Sequence, residues 1–141
     1  MWIFKRKVRY YETDRMGVVH HSNYLRFLED ARIDWMDELI MKYSDMEKMG
    51  IVIPCISAQG NFKAYLRYGD EMAVDVKIQE YNGVRLNMIY EVRNAETGEL
   101  CYDGTTGHCF TRDGDYKPIN IKRKYPDLHE KFLAVMAEQN A

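Results

Sequence analysis

Hydrophobic positions follow a helical period early in the chain and a strand period later. From about Ser22 to Met41, Tyr24, Leu28, Ala31, Trp35 and Leu39 recur at helical spacing. Leu25, Phe27, Ile33 and Met36 widen the apolar surface, which predicts a helix largely enclosed by other structure. Glu29, Asp30, Arg32, Asp34 and Asp37 take the remaining face. Ser22 or Asn23 is the expected N-cap. KYSDMEKMG reads as the helix exit or a short second turn, ended by Gly50.

Before the helix, residues 3–11 (IFKRKVRYY) predict a strand, on aromatic and β-branched content more than on alternation. ETDRMG reads as a turn, because Thr13-Asp14 favours one and Gly17 can take an unusual backbone angle. From Ile51 the period is two. IVIPCISAQGNFKAYL predicts one long, bent strand, with Pro54 putting its start at an edge. Val74, Val76 and Ile78 alternate with Asp75, Lys77 and Gln79; Val84, Leu86, Met88, Tyr90 and Val92 alternate with mostly polar neighbours. Asn82-Gly83 between these runs signals a hairpin. Residues 94–98 form a second turn, and residues 99–112 a last strand ended by Asp113-Gly114. Pro126 opens a final helix striped by Leu128, Phe132 and Val135. Consecutive strands behind one long helix predict an α+β fold, with a curled antiparallel sheet around the helix.

The 141 residues suit one domain, 1–141, with no repeat or linker composition. A net charge of -2 gives no push toward nucleic acid or an anionic membrane. No apolar run approaches a membrane span and the N-terminus is unlike a signal peptide, so the expected compartment is the cytoplasm, without membrane insertion. Cys55, Cys101 and Cys109 form no CxxC pair and fall in predicted strands, where buried, reduced thiols are expected.

The segment VRYYETDRMGVVHHSNYLRFLEDAR, residues 8–32, resembles the opening of the hotdog-fold acyl-CoA thioesterases. It looks most like the branch related to 4-hydroxybenzoyl-CoA thioesterase and the YbgC-like enzymes. Asp14, Gly17, Val18, Val19, His20, His21, Asn23 and Tyr24 match that branch's pattern, and Arg67, Gly69 and Asp70 resemble its later basic-then-acidic turn. Tyr65 stands where the family has a proline. The strand layout fits over residues 3–112. The resemblance implies a hotdog fold, hydrolysis of acyl-CoA or acyl-carrier-protein thioesters, and a homodimer or homotetramer with substrate at a subunit interface.

A thioesterase needs a nucleophile or a base for water, and a group that polarises the carbonyl. The start of a helix offers the second through unpaired N–H groups and its dipole. By resemblance, the amide near His21 is the oxyanion donor. Asp14, seven residues earlier, either attacks the thioester or takes a proton from water; as a bare turn residue it would only bond its own backbone. His21 is the second catalytic candidate. Gly17, Val19, His20, Ser22, Asn23, Tyr24 and Arg67 are the candidates for substrate binding. Glu29 is a further carboxylate on the helix. Lys63, Arg85, Arg112 and Lys117 join Arg67 as candidates for the CoA phosphates. Tyr11, Tyr65, Tyr68 and Tyr81 could line an aromatic acyl pocket. No cofactor is implied, and His20-His21 with no Cys at zinc spacing does not make a metal site. Two other classes remain: a non-catalytic acyl-thioester binding module, and a hotdog dehydratase or hydratase, which would carry its His on the central helix.

Overall fold

The computed structural model describes residues 2–141. Strand β1 (Ile3–Lys7) leads to helix α1 (Tyr24–Leu39) and the short α2 (Tyr43–Lys48). Then come β2 (Ile51–Val52), β3 (Cys55–Phe62), β4 (Glu71–Tyr81), β5 (Arg85–Asn94), β6 (Leu100–Cys109) and β7 (Thr111–Arg112). Helices α3 (Ile121–Lys124) and α4 (Pro126–Gln139) end the chain. The main sheet is antiparallel, in the order β1-β4-β5-β6-β3, and β2 pairs with β7 apart from it. This is the α+β hotdog arrangement, a sheet curled over one long helix.

The strand alternation sets the core. Val74, Val76 and Ile78 of β4 and Leu86, Met88 and Val92 of β5 turn inward onto Phe27, Leu28, Ala31, Trp35 and Met36 of α1. Each such side chain contributes about 1.5–3 kcal/mol by leaving water. Helix α4 closes one end: Phe132 stacks on Tyr81 with ring centroids 4.7 Å apart, and Tyr81 Oη meets His129 Nδ1 at 2.7 Å.

One polar chain crosses this core. Arg32 Nη1 donates to Tyr90 Oη at 3.2 Å, Tyr90 Oη lies 2.6 Å from Thr106 Oγ1, and Thr106 Oγ1 lies 2.8 Å from His108 Nε2. A guanidinium only donates. The arrangement that leaves the Tyr90 proton bonded has Tyr90 donating to Thr106, and Thr106 donating to His108 Nε2. His108 is then left with its N–H at Nδ1, which is buried and faces only the Pro54 carbonyl, short of a well-formed hydrogen bond. Burial first, and then the charge of Arg32, lower the pKa of His108 to about 4, against the pull of the Pro54 carbonyl.

Several elements are shorter than the pattern predicts. Strand β1 stops at Lys7 because Val8 turns into the core and gives its N–H to the Asp70 carbonyl at 2.8 Å. Residues Tyr10–Glu12 wind instead into a 3-10 turn. The expected strand from Ile51 breaks at Ile53-Pro54, so β2 and β3 pair with different partners. The last strand breaks at Phe110, which is buried and donates its N–H to the Val84 carbonyl. Helix α1 ends at Leu39, and Leu25 and Leu39 are exposed, so its enclosed face is narrower than expected. Cys55 is exposed rather than buried, whereas Cys101 is buried. Strand β3 is an edge of the sheet, and all of its residues are exposed.

Candidate active site

The turn carrying Asp14 is a small hairpin. Thr13 bridges Val19, Val18 bridges Arg67, and Asp14 N–H reaches the Val18 carbonyl at 2.8 Å. Gly17 closes the turn onto the Asp14 carbonyl with φ 78°, a left-handed conformation that suits glycine. Asp14 is half-buried. One carboxylate oxygen accepts the Met16 N–H at 2.8 Å, and the other has no hydrogen-bond partner among the described residues. Half of the carboxylate is thus held and half is free.

Glu12 fixes this hairpin and the helix start together. Both oxygens of its buried carboxylate accept from Arg6 Nη2 at 2.6 Å, and one also accepts the Arg9 N–H at 2.8 Å. Its carbonyl accepts His20 N–H at 2.9 Å and Asn23 Nδ2 at 2.8 Å. Neither Ser22 nor Asn23 caps the helix with its side chain. His20 instead caps the 3-10 turn over His21–Asn23 that leads into α1: its Nδ1 accepts Ser22 N–H at 3.1 Å and lies 2.8 Å from Ser22 Oγ. An imidazole competes for this place because its ring reaches across the turn, while Asn23 is drawn away to Glu12.

The amides here are nearly all spent. Val19 N–H goes to Leu66, His20 N–H to Glu12, Asn23 N–H to His20, and Tyr24 N–H to His21. Within residues 19–24 the His21 N–H alone has no partner among the described residues. It lies at the start of the helical stretch, where the dipole favours negative charge. The exposed His21 ring stacks on His20 at 4.1 Å.

Beside this amide lies a groove of about 290 Å³, lined by His21, Ser22, Leu25, Gly60, Phe62 and Tyr102 among others. Tyr24 forms its base, stacked on Tyr102 at 4.8 Å and edge-on to Phe62 at 5.5 Å. Burial, with Cys101 and Tyr102 adding to it, pushes the Tyr24 pKa up to about 12, so the phenol stays neutral.

Other candidates are placed as follows. Val19 points into the core. Arg67 is exposed and joins the hairpin through its bridge to Val18, with no ion-pair partner among the described residues. Arg112 is tied to Asp115. Glu29 is exposed on α1. Tyr81 is buried against α4, whereas Tyr11, Tyr65 and Tyr68 are exposed. Among the described residues no group of His, Cys, Asp or Glu is arranged to hold a metal ion, and no helix is long and apolar enough to cross a membrane. Glu12, Phe62 and Tyr102 belong to the site but carry no local sequence signal for it.

The five-stranded antiparallel sheet packed on one long helix defines a hotdog fold. The Thioesterase-like superfamily matches residues 8–134, and the chain belongs to it. It is 36% identical over 126 residues to the Bacillus subtilis protein named "Putative acyl-CoA thioesterase YneP", covering 89% of this chain and 91% of that protein. A DHNA-CoA thioesterase structure from Staphylococcus aureus superposes with a TM-score of 0.91 at 37% identity, covering 98% of this chain and 92% of that one. A 1,4-dihydroxy-2-naphthoyl-CoA thioesterase from Synechocystis has the same fold, with a TM-score of 0.82 at 20% identity over 99% of this chain and 97% of that one.

Proposed function

We propose that the protein hydrolyses acyl-CoA thioesters to free acid and CoA, with Asp14 as the reacting carboxylate and the His21 amide as the oxyanion donor. The observation that carries this reading is the single free amide at the helix start, on the same chain segment as a carboxylate with one free oxygen. A thioester oxygen at His21 N–H gains hydrogen bonding and dipole stabilisation as negative charge builds on it. In the nucleophilic route a carboxylate oxygen of Asp14 adds to the carbonyl carbon, the C–S bond breaks to release CoA thiolate, and water opens the anhydride. In the general-base route Asp14 takes a proton from water, the hydroxide adds, the C–S bond breaks, and the proton passes to the thiolate. Label found in Asp14 after turnover in heavy-oxygen water marks the first route.

The exposed edge of β3 supports an oligomer. That edge is unpaired, and a second copy adding β3 to β3 would continue the sheet and bring a neighbouring surface to the groove. We place the enzyme in the cytoplasm as a dimer or a tetramer, acting on CoA esters or on acyl-carrier-protein esters. Helix α1 holds no histidine, which counts against a dehydratase.

The test is thiol release from a panel of acyl-CoA esters by wild type and Asp14→Asn. Wild type should turn over at least one ester, and the folded variant should lose about 10²–10⁴-fold in kcat. An inert wild type sinks the enzyme reading. A fully active variant sinks the role of Asp14.

A further inference from the structure

We propose that the face built by residues 9–16 and 67–70 docks the protein on an anionic lipid surface, without insertion; this goes beyond hydrolysis and does not depend on it. Two segments make the face. Val8 N–H goes to the Asp70 carbonyl at 2.8 Å, and Gly69 N–H to the Val8 carbonyl at 3.1 Å. Val18 bridges Arg67, and Val19 N–H goes to the Leu66 carbonyl at 2.8 Å. The chain after β1 and the chain before β4 are thus laced side by side, and what they expose forms one surface.

That surface is aromatic. Tyr10 and Tyr11 are each 76% exposed, and Met16 in the hairpin turn is 71% exposed. Tyr68 is exposed on the facing segment, and its ring meets Tyr10 edge-on at 5.6 Å. Large apolar side chains scattered singly on a surface are ordinary. Several of them on two laced segments make a patch, and patches mark contact sites.

The same surface is basic. Lys5, Lys7 and Arg9 alternate along β1 and past its end, and Arg15 and Arg67 follow on the two segments. All are exposed, and none has an ion-pair partner among the described residues. The acids nearby are subdued. Asp14 and Asp70 are half-buried, and each accepts a backbone N–H. Glu71 is exposed, opposite Lys7 in the β1–β4 register. The whole chain carries a net charge of -2, so the remaining surface is net acidic and attraction to an anionic bilayer is confined to local basic faces.

Helix α3 offers a second basic face through Lys122, Arg123 and Lys124, but its neighbouring ring, Tyr125, is half-buried with Lys124 against it. The rings of the β1 face stand out from turns instead. Headgroups accept such tips, because tyrosine keeps its ring at the apolar boundary and its hydroxyl in water. A protein partner needs anchors packed in a dry centre, and these tips are spread along two turns. A second copy on β3 would sit at the opposite edge of the sheet, away from the β1 end of this face.

Co-sedimentation of the full chain with vesicles tests the proposal, using phosphatidylcholine alone and an equal mixture with phosphatidylglycerol. Wild type should prefer the mixed vesicles by about tenfold or more and be released by high salt. Each Lys or Arg near an anionic surface tightens binding about fivefold, so Arg9→Glu with Arg15→Glu should cut partitioning about twentyfold or more. Tyr10→Ser should cut it several-fold and leave its salt dependence in place. Lys122→Glu with Arg123→Glu, on α3, should change it little. No preference for the mixed vesicles in wild type overturns the proposal, whether or not the variants fold. So does undiminished binding by either folded variant of the β1 face, or an equal loss from the α3 pair. Tighter binding of wild type to polyuridylate than to vesicles of equal charge also overturns it, and would make the occupant a nucleic acid.

Discussion

Acid should weaken this fold through His108 before it reaches most carboxylates. In water a histidine titrates near 6.5, and in the fold His108 is held to about 4. As pH falls, the unfolded chain takes up the proton first. Stability rises with pH wherever the unfolded state binds more protons. The contribution of neutral His108 is therefore fully present above about pH 6.5 and is lost as pH falls toward 4. The gap from 6.5 to about 4, at about 1.4 kcal/mol per pH unit, comes to about 3 kcal/mol. About 2 kcal/mol of this should go between pH 7 and pH 5. The physical cause is visible in the chain of hydrogen bonds. A proton on Nε2 would face the Thr106 hydroxyl, which is committed to donating, and would add a charge near Arg32. The assay is urea unfolding at pH 7 and pH 5 for wild type and His108→Gln. Gln can offer an acceptor to Thr106 and does not titrate. Wild type should lose about 2 kcal/mol more than the variant over this range. Equal losses would refute both the neutral state and the direction of the hydrogen-bonded chain.

Glu12→Gln removes the charge facing Arg6 within a buried pair. Breaking such a pair costs about 3–5 kcal/mol, softened here by the second contact of Arg6 to Asp30 at 3.1 Å; a chemical-denaturation loss below about 1 kcal/mol would contradict the central place given to Glu12. Gly60→Ala should cost about 1–3 kcal/mol by overpacking against Tyr102, seen as a lower melting temperature, and the same change made in a Tyr102→Val background should cost much less. If it costs as much there as in wild type, the Tyr102 ring is not what the methyl group meets.

The regular elements were legible because their periods are clean. Helix α1 and strands β4 and β5 follow their spacing closely, and Asn82-Gly83 marks the turn between β4 and β5. The resemblance of residues 8–32 to a thioesterase opening pointed to the Asp14 turn. What stayed hidden was held by contacts between distant residues. The 3-10 turn at Tyr10–Glu12 depends on Arg6 reaching the Glu12 carboxylate, which no spacing rule registers. The cap by His20 depends on Asn23 being drawn to the Glu12 carbonyl. Thr106 and His108 read as polar positions in a strand, but Tyr90 and Arg32 allow them to face inward. Phe62 and Tyr102 enter the site only because β3 pairs with β6.

Strand β3, CISAQGNF, contains no charged side chain and no proline. Those are the usual guards against stray strand pairing, and short uncharged segments of this kind are the ones that stack into fibrils. An open edge of 8 residues is thus an aggregation seed whenever it is bare. In the proposed oligomer, the copy that covers this edge would guard solubility as well as complete the groove, and dilution that parts the copies would then send material out of solution rather than leave a quiet monomer.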